Sequence, residues 1–232
     1  MTVLERFGAA RVKRSVLPRA ALAAWALRAR AGAARVVALR RLGVPVSVEL
    51  FVAFDDPYGA VALPGLLEIA RHHPLAVTVR PVLRHGLEGD PDLEARRAHA
   101  VVDADRLLRR TGARLHRRAP VEPVAVRFLA AWVEAARARG RATEFAAAAF
   151  SSLWVTGSGP VTPEAFEALY VEIVGEAPPR ALGSHDRRLE ANARRLRAKG
   201  HWETPAARLA GQWFFAHERL EQIAALAARL AG

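Results

Sequence analysis

Three features of this chain point to an α/β architecture. An alternating apolar strand, Val46 to Phe54, runs through Asp55-Asp56-Pro57 directly into a helix, and a second strand follows that helix. A long middle stretch then carries helical periodicity and no strand pattern. After it come two short apolar runs around Ala210-Gly211 and one last amphipathic segment. The order is βαβ, a large all-helical insertion, then ββα, with an Arg-rich helical extension in front. The boundaries read as 1–43 for the basic extension, 44–84 and 200–232 for the α/β domain, and 85–199 for the inserted helical subdomain.

The extension holds ten of the 35 basic residues and one acid, Glu5, so it carries +9 of the net +12. The rest of the chain is nearly balanced. The longest uncharged run of the extension, Ala20 to Leu27, is far shorter than the roughly 20 apolar residues that span a bilayer. Arg28 and Arg30 follow that run at once, which does not suit a signal peptide. The composition suits a helical arm packed on its own body, a basic helix on a membrane surface or nucleic acid, or a mitochondrial presequence. The balanced body and the lack of a spanning segment read as a cytoplasmic protein.

Gly43 and Pro45 end the extension. Val46, Val48, Leu50, Val52 and Phe54 then share one strand face, with Ser47, Glu49, Phe51 and Ala53 on the other. Apolar residues on both faces toward the end of the strand make it central. Asp56 is placed as an N-cap and Pro57 as the first helical residue of a helix to about His72. Ala76 to Leu83 reads as the next strand, parallel to the first through a right-handed crossover. Helices follow at 93–110, 124–139 and 144–154. The turn Thr156 to Pro160 comes next, then a helix capped by Thr162 with Pro163 in its first turn, then one from Asp186 to Lys199. The aromatics of this region sit at core spacing. Ala206 to Leu209 and Gln212 to Phe215 form a hairpin, and Glu218 to Leu230 closes the chain as a helix.

No cysteine is present, which excludes disulfides, thiolate nucleophiles and Cys-ligated zinc from this chain's own chemistry. The eight histidines form no metal-binding spacing, and no metal is expected. There is no phosphate-binding glycine loop and no nucleophile elbow.

Several short motifs carry a family resemblance. Phe54-Asp-Asp-Pro-Tyr-Gly59 resembles the F-x-S-P-[YF]-S turn of 2-hydroxychromene-2-carboxylate isomerases and kappa-class glutathione transferases. Ala62-Leu-Pro-Gly-Leu66 resembles the helix that follows, and Arg80-Pro81 the second strand. Glu203-Thr-Pro205 stands where that family has Val and a cis proline. Gly211 to Leu220 is similar to its G-x-x-F-x-G-x-D-R-[LM]. The resemblance covers about residues 45–230 and implies a thioredoxin-like fold of the DsbA type. The Asp-Asp-Pro-Tyr form also resembles a group of bacterial DsbA-like proteins with an Arg-rich lead segment.

The departures bear on chemistry. Asp56-Pro57-Tyr58-Gly59 replaces Cys-x-x-Cys, so thiol-disulfide exchange is not available. Where the glutathione-dependent relatives use a serine to donate to a thiolate, this chain has Asp56. An ionised aspartate cannot donate and repels a thiolate. Asp56 is therefore read three ways: as a helix cap, as a general base with Asp55 beside it raising its pKa, or, when protonated, as a donor to a thiol ligand. The resemblance further implies a glutathione or small-molecule site formed by Tyr58, the backbone of Thr204 before Pro205, and His217-Glu218 in place of a Ser-Asp pair. Glu218 is alternatively an N-cap of the last helix. Two functions stay open. One is a glutathione-binding isomerase or transferase, with a homodimer among its assemblies. The other is a non-catalytic binding module whose basic arm contacts a partner, a membrane surface or nucleic acid.

Overall fold

The computed structural model describes residues 17–157, 159–198 and 200–231. The start of the basic extension with Glu5 and Lys13, Ser158 of the expected turn and Lys199 at the expected helix end lie outside them. Among the described residues the elements are α1 (Leu17–Arg41), β1 (Val46–Val52), α2 (Gly59–His72), β2 (Leu75–Pro81), α3 (Leu93–Arg109), α4 (Arg127–Ala136), α5 (Ala142–Phe150), α6 (Pro163–Val174), α7 (Asp186–Arg197), β3 (Ala206–Leu209), β4 (Gln212–Phe215) and α8 (Leu220–Ala231). No described helix is long and apolar enough to cross a membrane.

The four strands form one sheet in the order β2-β1-β3-β4. β1 is central, as its apolar residues on both faces require. It pairs in parallel with β2 and antiparallel with β3, which turns back into β4. The hairpin turn is Ala210-Gly211, both at positive φ, which matches the twist of a two-residue connection. Register decides where the site forms. Phe51 lies opposite both Arg80 and Ala206, and Val52 lies opposite Pro81. The ends of β1 and β2 and the start of β3 therefore share one edge of the sheet. Parallel α/β sheets place ligands beyond that edge.

The period-two pattern of β1 sorts its side chains into two layers. Val46, Val48, Leu50, Val52 and Phe54 join one buried cluster with α2, the insertion helices α3 to α6 and α8. On the opposite face Phe51 and Ala53 pack with Val82, Ala206 and Leu196 of α7. Glu49 also points there and is held by Arg80 at 2.6 Å, Arg195 at 2.7 Å and Arg208 at 3.1 Å. Burial pushes its pKa up, but Arg195 and Arg80 outweigh burial and hold the carboxyl below the usual range.

Several details of the elements differ from the sequence expectation. β2 spans Leu75–Pro81, one residue earlier at its start and two earlier at its end than the Ala76–Leu83 run. The 124–139 segment is α-helical only from Arg127 to Ala136, with 3-10 turns at Pro123–Val126 and Arg137–Arg139. Thr162 stands at the N-cap of α6 without a side-chain cap bond.

The basic extension is docked along its second half. Ala33, Val36 and Val37 pack on the main cluster, and Arg40 donates to the Ala231 carbonyl at the end of α8. At Gly32 the helix touches the hairpin. An added Cβ there would lie 2.0 Å from the Ala210 carbonyl oxygen, closer than any side chain tolerates. This is the packed-arm alternative for residues 29–41.

Candidate active site

Three chain segments meet at the shared sheet edge. The first is the turn after β1. Asp56 N–H donates to Ala53 O at 3.2 Å, so the chain folds back before helix α2 begins. The helix starts at Gly59, two residues later than an Asp56 N-cap requires. Asp56 still performs a capping contact, since its Oδ1 accepts the Tyr58 N–H at 3.0 Å. Gly59 has a packing reason as well. A Cβ there would sit 2.3 Å from the Phe150 ring, which stacks on Phe54 at 4.5 Å.

The second segment precedes β3. The Thr204-Pro205 bond is cis. Thr204 is buried and its hydroxyl donates to Asp56 Oδ2 at 2.7 Å. The contact with Asp56 therefore runs through the Thr204 side chain.

The third segment follows β2 and brings His85, which sequence reasoning missed. His85 Nε2 lies 3.2 Å from Asp55 Oδ2. Burial opposes charging this imidazole. The Asp55 hydrogen bond and the charges of Asp56, Asp55 and Glu203 outweigh it and push the pKa up to about 9. His85 is thus an imidazolium at neutral pH. A signal for it existed: it lies four residues past the end of a strand parallel to β1, on the edge where ligands bind.

Asp56 is only 4% exposed. Burial raises its pKa to about 6, against the lowering effects of His85, the Thr204 hydroxyl and the Tyr58 amide, with Asp55 adding a small upward push. The carboxyl is therefore mostly ionised at pH 7 yet close enough to neutrality to take and return a proton.

Asp55, Asp56, Tyr58, His85, Glu203 and Thr204 line a cavity of about 210 Å³. Arg96 of α3 spans its rim, joining Asp90 to Glu203. A larger cavity of about 800 Å³ shares Asp55, His85, Gly86, Leu93 and Arg97 with it. Arg84, Arg127, Arg194 and Arg197 also border the larger space.

His217, Glu218 and Pro205 are not on the walls of the smaller cavity. The His217 ring stacks on Tyr58 at 4.0 Å, and Tyr58 itself borders the cavity. The Tyr58 hydroxyl donates to Asp103 Oδ2 at 3.0 Å, a second partner sequence reasoning missed. Burial and the Asp103 carboxylate raise the Tyr58 pKa. Burial lowers that of His217, leaving a neutral imidazole. Glu218 is half-exposed, with Oε1 3.8 Å from His217 Nε2. It is not the N-cap of the last helix, which begins two residues later at Leu220.

A tryptophan from the insertion holds the turn. Ser151 to Thr156 form a turn of π-helix, and Trp154 Nε1 donates to the Phe54 carbonyl at 3.0 Å. Among the described residues, no group of His, Cys, Asp and Glu is placed to hold a metal ion.

No family model matches this sequence, and no curated protein does. Solved structures do match it. A 2-hydroxychromene-2-carboxylate isomerase superposes with a TM-score of 0.59 at 18% identity, over 79% of this chain and 95% of its own. A probable DsbA oxidoreductase from Streptomyces coelicolor gives 0.61 at 14% identity, over 80% and 89%. The chain has the DsbA-like thioredoxin fold. A cytosolic disulfide reductase, DsbM from Pseudomonas aeruginosa, solved with glutathione, gives 0.50 at 17% identity, over 80% and 97%. The chain has no cysteine, which fits a non-redox role.

Proposed function

We propose that this protein is an isomerase-type enzyme that moves a proton on a small organic molecule, with Asp56 as the general base. The observation that carries the reading is Asp56 itself. It is a buried carboxyl with a pKa of about 6, fixed by Thr204 and Tyr58, facing a cavity beside the His85 imidazolium. Asp56 takes a proton from a carbon next to a carbonyl. His85 stabilises the negative charge that develops on the carbonyl oxygen. The protonated Asp56 then returns the proton to a different carbon. Thr204 suits both states, because its hydroxyl donates to the carboxylate and accepts from the acid.

Glutathione is the second ligand in this proposal, bound in the larger cavity as a neutral thiol. The carboxylates around Asp56 oppose a thiolate, whereas an S–H can donate to one of them. The isomerase and glutathione-bound relatives of the same fold support this choice. We place the activity in the cytoplasm, where glutathione is kept reduced.

The test is turnover of 2-hydroxychromene-2-carboxylate with and without glutathione, together with calorimetric titration of reduced, oxidised and S-alkylated glutathione. We expect turnover that Asp56→Asn abolishes while the protein stays folded, and binding that Arg194→Ala, at the border of the larger cavity, weakens. Equal turnover in wild type and Asp56→Asn removes the general base. No binding of any glutathione form at millimolar ligand removes the co-substrate.

The second reading, a non-catalytic module, rests on the satisfied Asp56 carboxylate, which accepts from Tyr58 and Thr204 without needing a substrate.

A further inference from the structure

Helix α1 has one continuous seam, formed by Leu22, Trp25, Ala29, Ala33, Val36, Val37 and Arg40 at spacings of three and four residues. The seam is used along only part of its length. From Ala29 onward it is partly buried against the body, through Gly32 on the hairpin and Val36 and Val37 on the core. Ahead of Ala29 it runs on with none of the described residues packed beneath it. Leu22 is 62% exposed, Trp25 66% and Leu27 64%, and Leu27 lies on the other side of the helix. The uncharged run Ala20 to Leu27, about 12 Å long, is flanked by exposed Arg19 and Arg28, with Arg30 and Arg35 following.

Charge selects the occupant. The sequence has no carboxylate from residue 6 to residue 48, and Arg6, Arg11, Lys13 and Arg14 precede the helix. A second copy pairing through the same helix would set arginine against arginine with no acid between them. Nucleic acid would meet the arginines but leave Leu22 and Leu27 against phosphate and water. An anionic lipid surface satisfies both. Leu22 and Trp25 enter the interface, where tryptophan is favoured, while the flanking guanidinium groups reach the headgroups.

We propose that the projecting end of α1 docks this protein on an anionic bilayer surface, as a peripheral contact that leaves the body in water. The inference is independent of the reaction proposed at Asp56.

The experiment is co-sedimentation of the full-length protein with vesicles rich in phosphatidylglycerol and with vesicles of phosphatidylcholine alone. The expected result is binding to the anionic vesicles, little to the neutral ones, and release by salt. At about 1 kcal/mol per arginine near the surface, the triple variant Arg19→Gln, Arg28→Gln, Arg30→Gln should lower partitioning about a hundredfold. Leu22→Glu with Trp25→Glu should also abolish it, and both variants should keep the wild-type melting temperature, because these side chains are exposed. Absence of binding to anionic vesicles overturns the proposal, as does equal binding to neutral ones or binding indifferent to both variants. Duplex DNA binding without vesicle binding reassigns the arm to nucleic acid. A dimer abolished by Leu22→Glu with Trp25→Glu, again without vesicle binding, reassigns it to a second copy.

Discussion

Replacing Asp56 by asparagine separates a buried acid-base group from a helix cap, because the two roles give stability curves of opposite slope. A carboxylate that merely caps a helix is favoured when ionised and has a depressed pKa, so folding gains stability as pH rises through it. Asp56 has the reverse shift, from 3.8 to about 6, with burial as its leading cause. The folded state then binds the proton more tightly than the unfolded chain, and stability falls as pH rises between those values. Integrating that linkage gives a loss of about 2 kcal/mol between roughly pH 4 and pH 6, approaching about 3 kcal/mol above. Asparagine cannot ionise, yet it keeps the geometry. Its carbonyl accepts the Tyr58 N–H, and its amide donates to the Thr204 hydroxyl, which can act as acceptor. His85 stays protonated in the folded state across this range, since its pKa is about 9. The assay is urea unfolding of both proteins over a pH series. The stability of Asp56→Asn relative to wild type should rise by about 2 kcal/mol from roughly pH 4 to pH 6. Parallel curves would refute the argument. A relative fall would restore the cap and remove the base.

Two further substitutions test how the turn is held. Gly59→Ala places a methyl against the Phe150 ring and should cost about 1–3 kcal/mol in urea unfolding, because neither α2 nor the Phe54–Phe150 stack has room to yield; wild-type stability in that variant would mean the turn is loose. Trp154→Phe removes the donor to the Phe54 carbonyl and should cost about 2 kcal/mol in the same assay. If Trp154 also positions the site, the Asp56 carboxyl should titrate at a different pH by NMR; an unchanged titration would make Trp154 structural only.

Local pattern made the fold legible. The alternation from Val46 onward, Ala210-Gly211 between short apolar runs and Pro163 at a helix start each act within a few residues. The order βαβ, helices, ββα follows from reading them in sequence. Asp56 and Pro205 were legible for the same reason, as a strand-to-helix turn and a proline ahead of a strand. What could not be read is contact across distance. His85 meets Asp55 across 30 residues, Asp103 meets Tyr58 across 45, and Trp154 meets Phe54 across 100. Only the first had a route from sequence, through the common edge of two parallel strands. The start of α2 was misplaced because the Asp56 side chain does bond a backbone amide as a cap would, while the backbone between Ala53 and Tyr58 is still turning. The stacking of His217 on Tyr58 likewise depends on how α2 and the β4–α8 turn approach each other.

The change at position 56 alters what the site can favour. An open helix N-terminus attracts an anion. Here the protein supplies the anion. Asp56 Oδ1 occupies the Tyr58 amide, Asp55 and Glu203 stand beside it, and His85 is the cation set among them. Two like charges at about 4 Å repel by about 4 kcal/mol near a protein surface. A free thiolate therefore gains little at this edge, and a neutral ligand with a proton to give gains more. Thr204 spends its hydroxyl on Asp56. The arrangement holds a carboxylate near its titration point beside a backbone amide, a hydroxyl and an imidazolium, which is what the proposed proton transfer uses.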